Sequence, residues 1–375
     1  MTDSFACLPA TRSRLSQNST ATVLLAGGQG SRLHELTTNE SKPAVPFAGR
    51  NRIVDFVMAN VVRSGLERLV VATQFAPATL HRHLLERWGR HFPAGGIELS
   101  DGRGLYRGMA DAVRCNWSRI EACGPDHVLV LAADHIYDMD YGALVQAHER
   151  SGAAVTIAVD VVPRLDAQGF GVMQVDDGGR VTAFLEKPAD PPAMPGQSDS
   201  ALVSMGIYLF DAAWLRDRLS GQPEALDFGH DLIPEAVARG EAAAFRLPPG
   251  PSGESYWRDV GTLTALRCAH LDFLDRAPAR LPQDAPQAEW SLGRGSIMMP
   301  GAWVPASARL VNCIVAPGTR IPPGLVAGED PDDDLPWFRR DAQGTTLVTQ
   351  AMLDRREATR RLMAPVAVPT RRIVA

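Results

Sequence analysis

Three glycines within four positions follow a short apolar run near the N-terminus. Gly27, Gly28 and Gly30 precede Arg32, and Lys42 lies further along the same stretch. A glycine turn between a strand and a helix exposes backbone N–H groups, which bind phosphate together with basic side chains. The stretch therefore predicts a phosphate cradle for a nucleotide, although it lacks the P-loop pattern and the last glycine of the dinucleotide-binding pattern. A plain glycine turn explains these residues equally well when they are considered alone.

Two aspartates beside predicted strands are candidate metal ligands. Asp134 closely follows the apolar strand His127–Ala132, and Asp259 precedes a helical segment that runs to about Asp275. Carboxylates in such positions can hold Mg²⁺, which prefers one or two carboxylates together with substrate phosphates. Both aspartates could instead cap helices, and His135 is expected to be structural rather than a ligand.

A charged pair before a proline is a third candidate. Lys187, held before Pro188, can meet a phosphate monoester, and Glu186 can accept hydrogen bonds from sugar hydroxyls. An exposed charged pair on a hairpin is the commoner meaning of Glu-Lys, and the turn at Asp176–Gly179 is compatible with it.

The order of the elements that carry these residues predicts an α/β fold. Strand-like and helix-like segments alternate from Thr22 to about Leu247, which implies a mostly parallel sheet with helices on both faces. Ligands bind beyond the carboxyl ends of the strands in such sheets. The predicted strands are Thr22–Ala26, Arg68–Ala72, His127–Ala132, Ala154–Val161 and Leu202–Phe210. The predicted helices are Ile53–Ser64, Ala78–Trp88, Met109–Ala122, Tyr141–Arg150, Ala212–Arg218 and Asp231–Arg239.

The pattern changes after Trp290, where aliphatic residues recur six positions apart. The recurring residues are Val304 and Leu310, then Val315, Ile321 and Ala327. A hexapeptide period indicates a β-helix, with room here for one or two coils. The acidic run at 329–334 is expected to be solvated, and a last helix is predicted over Thr349–Met363.

Length and composition limit the class of protein. A chain of 375 residues is long enough for two domains, and its net charge of -5 argues against a general nucleic-acid or acidic-membrane surface. Five scattered cysteines without a Cys-x-x-Cys pair fit a reducing cytosol. No apolar stretch is long enough for a signal peptide or a membrane span. We therefore predict a cytoplasmic protein without nucleic-acid or membrane partners.

The motifs together resemble the ADP-glucose pyrophosphorylase family, the glucose-1-phosphate adenylyltransferases of bacterial glycogen synthesis. They run in family order from residue 22 to about 275, and the C-terminal segment resembles the last coils of the family's β-helix. The matching stretches include Leu25–Leu33, Ser41–Phe47, Tyr106–Ala112, Asp134–Tyr137, Glu186–Pro192, Ser204–Tyr208, Asp227–Pro234 and Tyr256–Thr262.

The resemblance implies a Rossmann-like nucleotidyltransferase domain with a mostly parallel sheet over residues 21–280. A flexible tail over 1–20 precedes it, and a truncated left-handed β-helix with a C-terminal helix and tail follows over 281–375. The implied reaction requires Mg²⁺: glucose 1-phosphate attacks the α-phosphorus of ATP, giving ADP-glucose and pyrophosphate. A homo-oligomer is also implied, because the family forms tetramers, but the short β-helix weakens this expectation.

Motif positions imply a role for each candidate residue. Residues expected at the nucleotide are Gly27, Gly28, Gly30, Ser31, Gln74, Gly108 and Asp111. Arg32 and Lys42 would stabilise the departing pyrophosphate and, with Asp134, are the catalytic candidates. Asp134 and Asp259 would hold Mg²⁺. Residues expected to receive glucose 1-phosphate are Tyr106, Gly171, Glu186, Lys187 and Ser204.

Departures from the family pattern leave a second function open. The loop before Tyr106 is shorter than usual, and Asn39 and Glu40 stand where activated members carry a basic contact for the activator. A regulatory paralogue that binds ligands and a catalytic partner is therefore the alternative, although such a protein would be expected to lose the basic or metal-binding groups that are present here. A thymidylyl- or uridylyltransferase is a third interpretation.

Overall fold

The computed structural model describes residues 19–122, 124–250, 253–274, 277–282 and 289–363. Almost all of the predicted N-terminal tail, the C-terminal tail after Met363 and the end of the helix predicted to about Asp275 lie outside these residues. No helix in the described ranges is long and apolar enough to cross a membrane.

Strands and helices alternate through the larger domain. The strands are β1 (Thr20–Ala26), β2 (Pro46–Phe47), β3 (Asn51–Arg52), β4 (Leu69–Thr73), β5 (Ile97–Asp101), β6 (His127–Ala132), β7 (His135–Tyr137), β8 (Val155–Pro163), β9 (Gly171–Val175), β10 (Val181–Glu186), β11 (Ser200–Asp211), β12 (Ala242–Arg246) and β13 (Trp257–Asp259). The α-helices are α1 (Ile53–Arg63), α2 (Pro77–His83), α3 (Met109–Cys115), α4 (Trp117–Glu121), α5 (Tyr141–Ser151), α6 (Ala212–Gly221), α7 (Ile233–Ala238) and α8 (Leu263–Asp272).

A nine-stranded sheet forms the centre of this domain. Its continuous order is β10-β9-β11-β6-β1-β4-β5, and β8 pairs with both β11 and β12. Strand β1 is parallel to β4 and β6, β4 to β5, and β8 to β12. Strand β11 is antiparallel to β6, β8 and β9, and β10 is antiparallel to β9. All strands of the sheet except β10 and β11 therefore run in one direction, which confirms the predicted mostly parallel sheet.

Helices cover both faces of the sheet because successive strand residues point to opposite sides. Val23 of β1 belongs to a buried cluster that includes Val113 of α3 and Leu215 of α6. Its neighbour Leu24 belongs to a second cluster, which includes Val57 of α1. This two-sided burial is why the strands appear in the sequence as nearly continuous apolar runs.

Three predicted helices are interrupted in the structure. The predicted helix Met109–Ala122 breaks between α3 and α4 at Asn116, whose buried side-chain amide donates to the Ala112 carbonyl and the Tyr106 hydroxyl. This side chain competes with the backbone hydrogen bonds of a continuous helix. The other two breaks are π-helical turns, at Leu84–Trp88 after α2 and at Phe228–Leu232 before α7.

Short strands in parallel and antiparallel pairs form the C-terminal domain. The strands are β14 (Ser291–Gly293), β15 (Ser296–Met298), β16 (Arg309–Leu310), β17 (Cys313–Val315), β18 (Val326–Ala327), β19 (Arg339–Arg340) and β20 (Thr346–Val348). Helix α9 (Pro331–Asp334) lies between β18 and β19, and helix α10 (Gln350–Met363) follows β20. Parallel pairing of β15, β17 and β20 aligns Ile297 with Ile314 and Ile314 with Leu347. The buried hexapeptide residues Leu310, Val315 and Ile321 pack in one cluster, as expected for the predicted β-helix.

Helix α8 joins the two domains through hydrogen bonds and a shared core. Thr264 donates from its backbone nitrogen and its hydroxyl to Asp341, at 2.8 and 3.0 Å. The Arg267 guanidinium donates to the Thr345 hydroxyl and the Gly295 carbonyl, each at 2.9 Å. On the apolar side, His270 lies between Phe47 and Trp290, with ring centroids 4.2 and 5.6 Å away.

This domain junction makes stability sensitive to acid. Burial lowers the pKa of His270 to about 4, whereas the unfolded chain takes up this proton near pH 6.5. Stability is therefore complete above pH 6.5 and falls as the pH is lowered toward 4. We expect His270 to contribute a loss of about 2 kcal/mol between pH 7 and pH 5.

Urea unfolding of the wild type and of His270→Gln at both pH values measures this contribution. The variant should show a smaller loss between the two pH values, whatever its stability at pH 7. The buried His148, whose pKa is likewise lowered by burial to about 4, is present in both proteins and contributes equally. Equal losses in the two proteins would contradict the prediction.

Candidate active site

The parallel order of β6, β1 and β4 brings the residues that follow these strands to one edge of the sheet. Gly27 and Gly28 follow β1, Gln74 follows β4, and Asp134 follows β6. Together they line a cleft of about 300 Å³. The residues that the sequence predicts at the nucleotide and that line this cleft are Gly27, Gly28, Gln74 and Gly108.

The Lys42 ammonium lies between two carboxylates at this edge. Its Nζ is 2.6 Å from Asp259 Oδ1 and 2.9 Å from Asp134 Oδ2, and the side chain is only 6% exposed. Gly30 permits the glycine loop to pack against this lysine, because it has a left-handed φ of 71° and a Cβ there would lie 2.7 Å from Lys42 Cβ. Ser31, which follows Gly30, is exposed and begins a 3-10 turn.

Opposite charges favour the ionised forms of Asp134 and Lys42. Burial opposes ionisation of Asp134, but the Lys42 ammonium lowers the pKa of its carboxyl to about 2. Burial likewise opposes protonation of Lys42, but the charges of Asp134 and Asp259 raise its pKa above the usual value. Arg32 is at the border of the group, with a nitrogen 4.0 Å from Asp259 and a side chain 69% exposed. The guanidinium is therefore accessible to an anionic ligand.

A two-stranded ribbon adds His135 to the group. Antiparallel pairing of β7 with β13 places Asp259 opposite His135, and Asp134 directly precedes β7. His135 Nε2 is 3.6 Å from Asp134 Oδ1 and 3.9 Å from Asp259 Oδ1. The interpretation of His135 as merely structural overlooked this proximity, because the pairing partner of β7 lies more than a hundred residues away and no local pattern reveals it.

The donor atoms of this group fit a divalent cation. One ligand atom from each of Asp134, His135 and Asp259 can be chosen so that all lie within 4.8 Å of one another. Carboxylate oxygens are ligands that hard divalent cations prefer. The Lys42 ammonium, which both carboxylates contact, shows that the group already stabilises a positive charge between them.

A second group surrounds Glu186 at the end of β10. Lys187 Nζ is 3.1 Å from Glu186 Oε1, and the Lys187 side chain is 60% exposed. Gly171 and Gly229 leave space for the Glu186 carboxylate: a Cβ on Gly171 would lie 3.0 Å from Oε2, and one on Gly229 would overlap it. Ser204 is buried, and its hydroxyl donates to the Tyr208 hydroxyl at 3.3 Å. Sequence analysis assigned no role to Gly229 or Tyr208, although both lie in matching stretches.

Two predicted ligand-binding residues have internal partners. Tyr106 lines the glycine-loop cleft, and its hydroxyl is hydrogen-bonded to Ser100 and Asn116. The buried Asp111 carboxylate accepts hydrogen bonds from the Arg107 backbone and the Arg114 guanidinium. Both side chains therefore hold the loop that borders the cleft.

Replacing Lys42 tests the charge balance of the site. Lys42→Gln removes the cation between Asp134 and Asp259, so we expect a loss of roughly 1–3 kcal/mol of folding stability at pH 7. An added divalent cation should replace the missing charge and raise the melting temperature of the variant more than that of the wild type.

Thermal unfolding with and without excess Mg²⁺ measures both effects. Lys187→Gln is the matched control, because it removes a mostly exposed ammonium and should leave stability and the Mg²⁺ effect nearly unchanged. An equal Mg²⁺ effect in the wild type and in Lys42→Gln would show that the cation does not take the position of the ammonium.

Comparison with protein families matches both domains. Residues 21–276 match the nucleotidyl transferase family, and residues 282–348 match the GlmU-like, C-terminal hexapeptide family. The first match covers the sheet and both groups of site residues. The second confirms the hexapeptide repeat of the C-terminal domain.

Curated relatives cover nearly the whole chain. A glucose-1-phosphate adenylyltransferase from Granulibacter bethesdensis is 40% identical over 90% of this chain and 97% of its own length. Enzymes of the same name from Jannaschia sp. and Cereibacter sphaeroides are each 38% identical over 92% of this chain and 98% and 97% of their own lengths. The first alignment spans 410 positions, more than the length of this chain, so the relative contains segments that are missing here. The chain belongs to the glucose-1-phosphate adenylyltransferase family of nucleotidyl transferases.

Proposed function

We propose that this chain transfers the adenylyl group of ATP to glucose 1-phosphate, forming ADP-glucose for α-glucan synthesis and releasing pyrophosphate. The observation that carries the proposal is the Lys42 ammonium shared by Asp134 and Asp259 at the mouth of the glycine-loop cleft. The names of the relatives support the choice of substrates.

ATP would occupy the cleft beside β1. The backbone N–H groups of the stretch from Gly27 to Ser31 would bind its phosphates, as glycine-rich turns do. The base would lie against Gln74 and Tyr106, which are joined by a hydrogen bond of 2.8 Å from the Gln74 side-chain amide to the Tyr106 carbonyl. Gly108 completes this wall of the cleft.

Glucose 1-phosphate would bind at the Glu186 group. The Glu186 carboxylate has oxygens to accept from sugar hydroxyls, and the exposed Lys187 ammonium can turn from Glu186 to the phosphate. Gly171 and Ser204 would border the sugar, and the close approach at Gly171 leaves no space for a side chain there.

The chemistry requires positioning and charge neutralisation rather than a general base. A phosphate oxygen of glucose 1-phosphate is already ionised, so it can form its bond to the α-phosphorus without losing a proton. The bond from the α-phosphorus to the bridging oxygen then breaks, and pyrophosphate leaves with additional negative charge. Lys42 and the exposed Arg32 supply cations for this charge.

Asp134 and Asp259 would hold the Mg²⁺ ion of the reaction. When bound, Mg²⁺ would supply positive charge to the phosphates that a side chain cannot match. Because the pKa of Asp134 is held at about 2, this carboxylate is ionised and available as a ligand throughout the physiological pH range.

A cytoplasmic location and a homo-oligomeric assembly are part of the same proposal. Cys115, Cys268 and Cys313 are free thiols, as expected for a reducing compartment. We propose the homo-oligomer because the family forms tetramers. The molecular mass of the purified chain in solution, measured by sedimentation, tests it.

Pyrophosphate release by the purified chain tests the function. We expect release with glucose 1-phosphate, Mg²⁺ and ATP, and much less with UTP or dTTP. Release with UTP or dTTP alone would exclude adenylyl transfer. Binding of ATP and glucose 1-phosphate without release would instead support the regulatory paralogue, which the presence and convergence of Arg32, Lys42, Asp134 and Asp259 disfavour.

Gly229→Ala tests the sugar side separately. The added Cβ would overlap the Glu186 carboxylate and displace it, so we expect the KM for glucose 1-phosphate to rise roughly tenfold, with a smaller effect on the KM for ATP. Steady-state kinetics with each substrate varied measures this split. Gly169→Ala is the matched control, because a Cβ there meets no atom within 4 Å. A rise in both KM values would contradict the assignment of Glu186 to the sugar.

A further inference from the structure

We propose that His135 is a third protein ligand of the metal, binding it through Nε2 beside Asp134 and Asp259. The inference rests on the proposed function, because it concerns the ion that this reaction requires. It extends that function by assigning a mixed nitrogen and oxygen donor set to a site that the sequence describes with carboxylates alone.

The hydrogen bond at the other ring nitrogen determines which nitrogen is free. His135 Nδ1 lies 3.1 Å from the Met205 carbonyl oxygen. A carbonyl only accepts hydrogen bonds, so Nδ1 carries the proton, and Nε2 is the ring nitrogen that can offer a lone pair to a metal. A backbone carbonyl that holds the distal nitrogen of a metal-bound histidine is a common arrangement, because it fixes the tautomer and the orientation of the ring.

His135 Nε2 lies near the two carboxylates without a hydrogen bond to either. Its distances of 3.6 Å to Asp134 and 3.9 Å to Asp259 exceed hydrogen-bond length. In an octahedral ion with bonds of about 2.1 Å, adjacent donor atoms lie about 3 Å apart and opposite ones about 4 Å apart. The three donors, which lie within 4.8 Å of one another, therefore need only a small contraction to bind one ion.

Neighbouring residues restrict rotation of the imidazole. The Trp257 ring meets it edge to face, with centroids 5.4 Å apart and an interplanar angle of 89°. Pairing of β7 with β13 holds His135 opposite Asp259. The Met205 carbonyl lies in a stretch of β11 where the pairing register with β8 shifts, and Gly206 there has a left-handed φ of 68°.

A nitrogen donor changes which ions the site prefers. Imidazole suits transition metals better than Mg²⁺, whereas carboxylates suit Mg²⁺ and Mn²⁺ alike. The site should therefore bind Mn²⁺ more tightly than Mg²⁺, and removing the imidazole should reduce that preference. A purely structural histidine would leave the preference unchanged.

The test uses the full-length chain with Mn²⁺ and α,β-methylene-ATP, whose α–β linkage is not cleaved. Electron spin echo envelope modulation detects nitrogen bound to Mn²⁺, and protein labelled with ¹⁵N only at histidine separates imidazole from adenine and lysine nitrogens. We expect a modulation that depends on the histidine label in the wild type and in His148→Asn. His148 is the matched control, because it is also buried and hydrogen-bonded through Nδ1, to Thr156.

His135→Asn should abolish this modulation and weaken Mn²⁺ binding by about tenfold, with a smaller effect on Mg²⁺ binding. If this variant does not fold, the label comparison in the wild type still decides the question.

Mn²⁺ binding without a histidine-dependent modulation would overturn the inference, while pyrophosphate release by the same preparation would leave the proposed function intact. A histidine-dependent modulation without pyrophosphate release would support the ligand assignment and contradict the proposed function. Failure of Mn²⁺ to bind with the nucleotide would overturn both.

Discussion

The contact of one buried ammonium with two carboxylates governs the arrangement of the catalytic domain. Lys42 comes from the segment after the glycine loop, Asp134 from the end of β6, and Asp259 from a ribbon strand far along the chain. Buried charges are stable only when paired with good geometry, so these three segments must meet closely. The same requirement explains the left-handed Gly30, which lets the loop approach the lysine.

Strand β11 connects the group around Lys42 with the group around Glu186. Within its irregular stretch, the Met205 carbonyl holds His135, whereas the neighbouring Ser204 hydroxyl donates to Tyr208. Adjacent residues of one strand thus serve two groups, because the shift in register turns them in different directions. A change in the backbone at this point would disturb both groups together.

Features set by local pattern were predictable from the sequence, and features set by long-range pairing were not. The glycine loop, the parallel strands and the hexapeptide repeat follow from turn chemistry, two-sided burial and periodicity. Strand β5 escaped prediction because only two of its five residues, Ile97 and Leu99, are apolar, and both are only partly buried. Asp334 was expected in a solvated acidic run, yet it is buried and accepts a hydrogen bond from the Gly328 backbone at 2.7 Å.

Contacts with residues elsewhere in the sequence account for the remaining features that sequence analysis did not predict. Glu40, which sequence analysis singled out as a departure from the family pattern, forms an ion pair with Arg52 at 3.5 Å. The role of His135 depends on the Met205 carbonyl and on Asp259, which lie 70 and 124 positions away in the sequence. Neither relationship leaves a periodic signal, so only the assembled fold reveals it.

Helix α8 begins four residues after Asp259, and Thr264 and Arg267 hold it to the C-terminal domain. The coils that hold this helix therefore serve as an external support for the Asp259 carboxylate, which pairs with Lys42. A change in the coils that contact α8 would reach the Lys42 ion pair through the short connection between Asp259 and the helix.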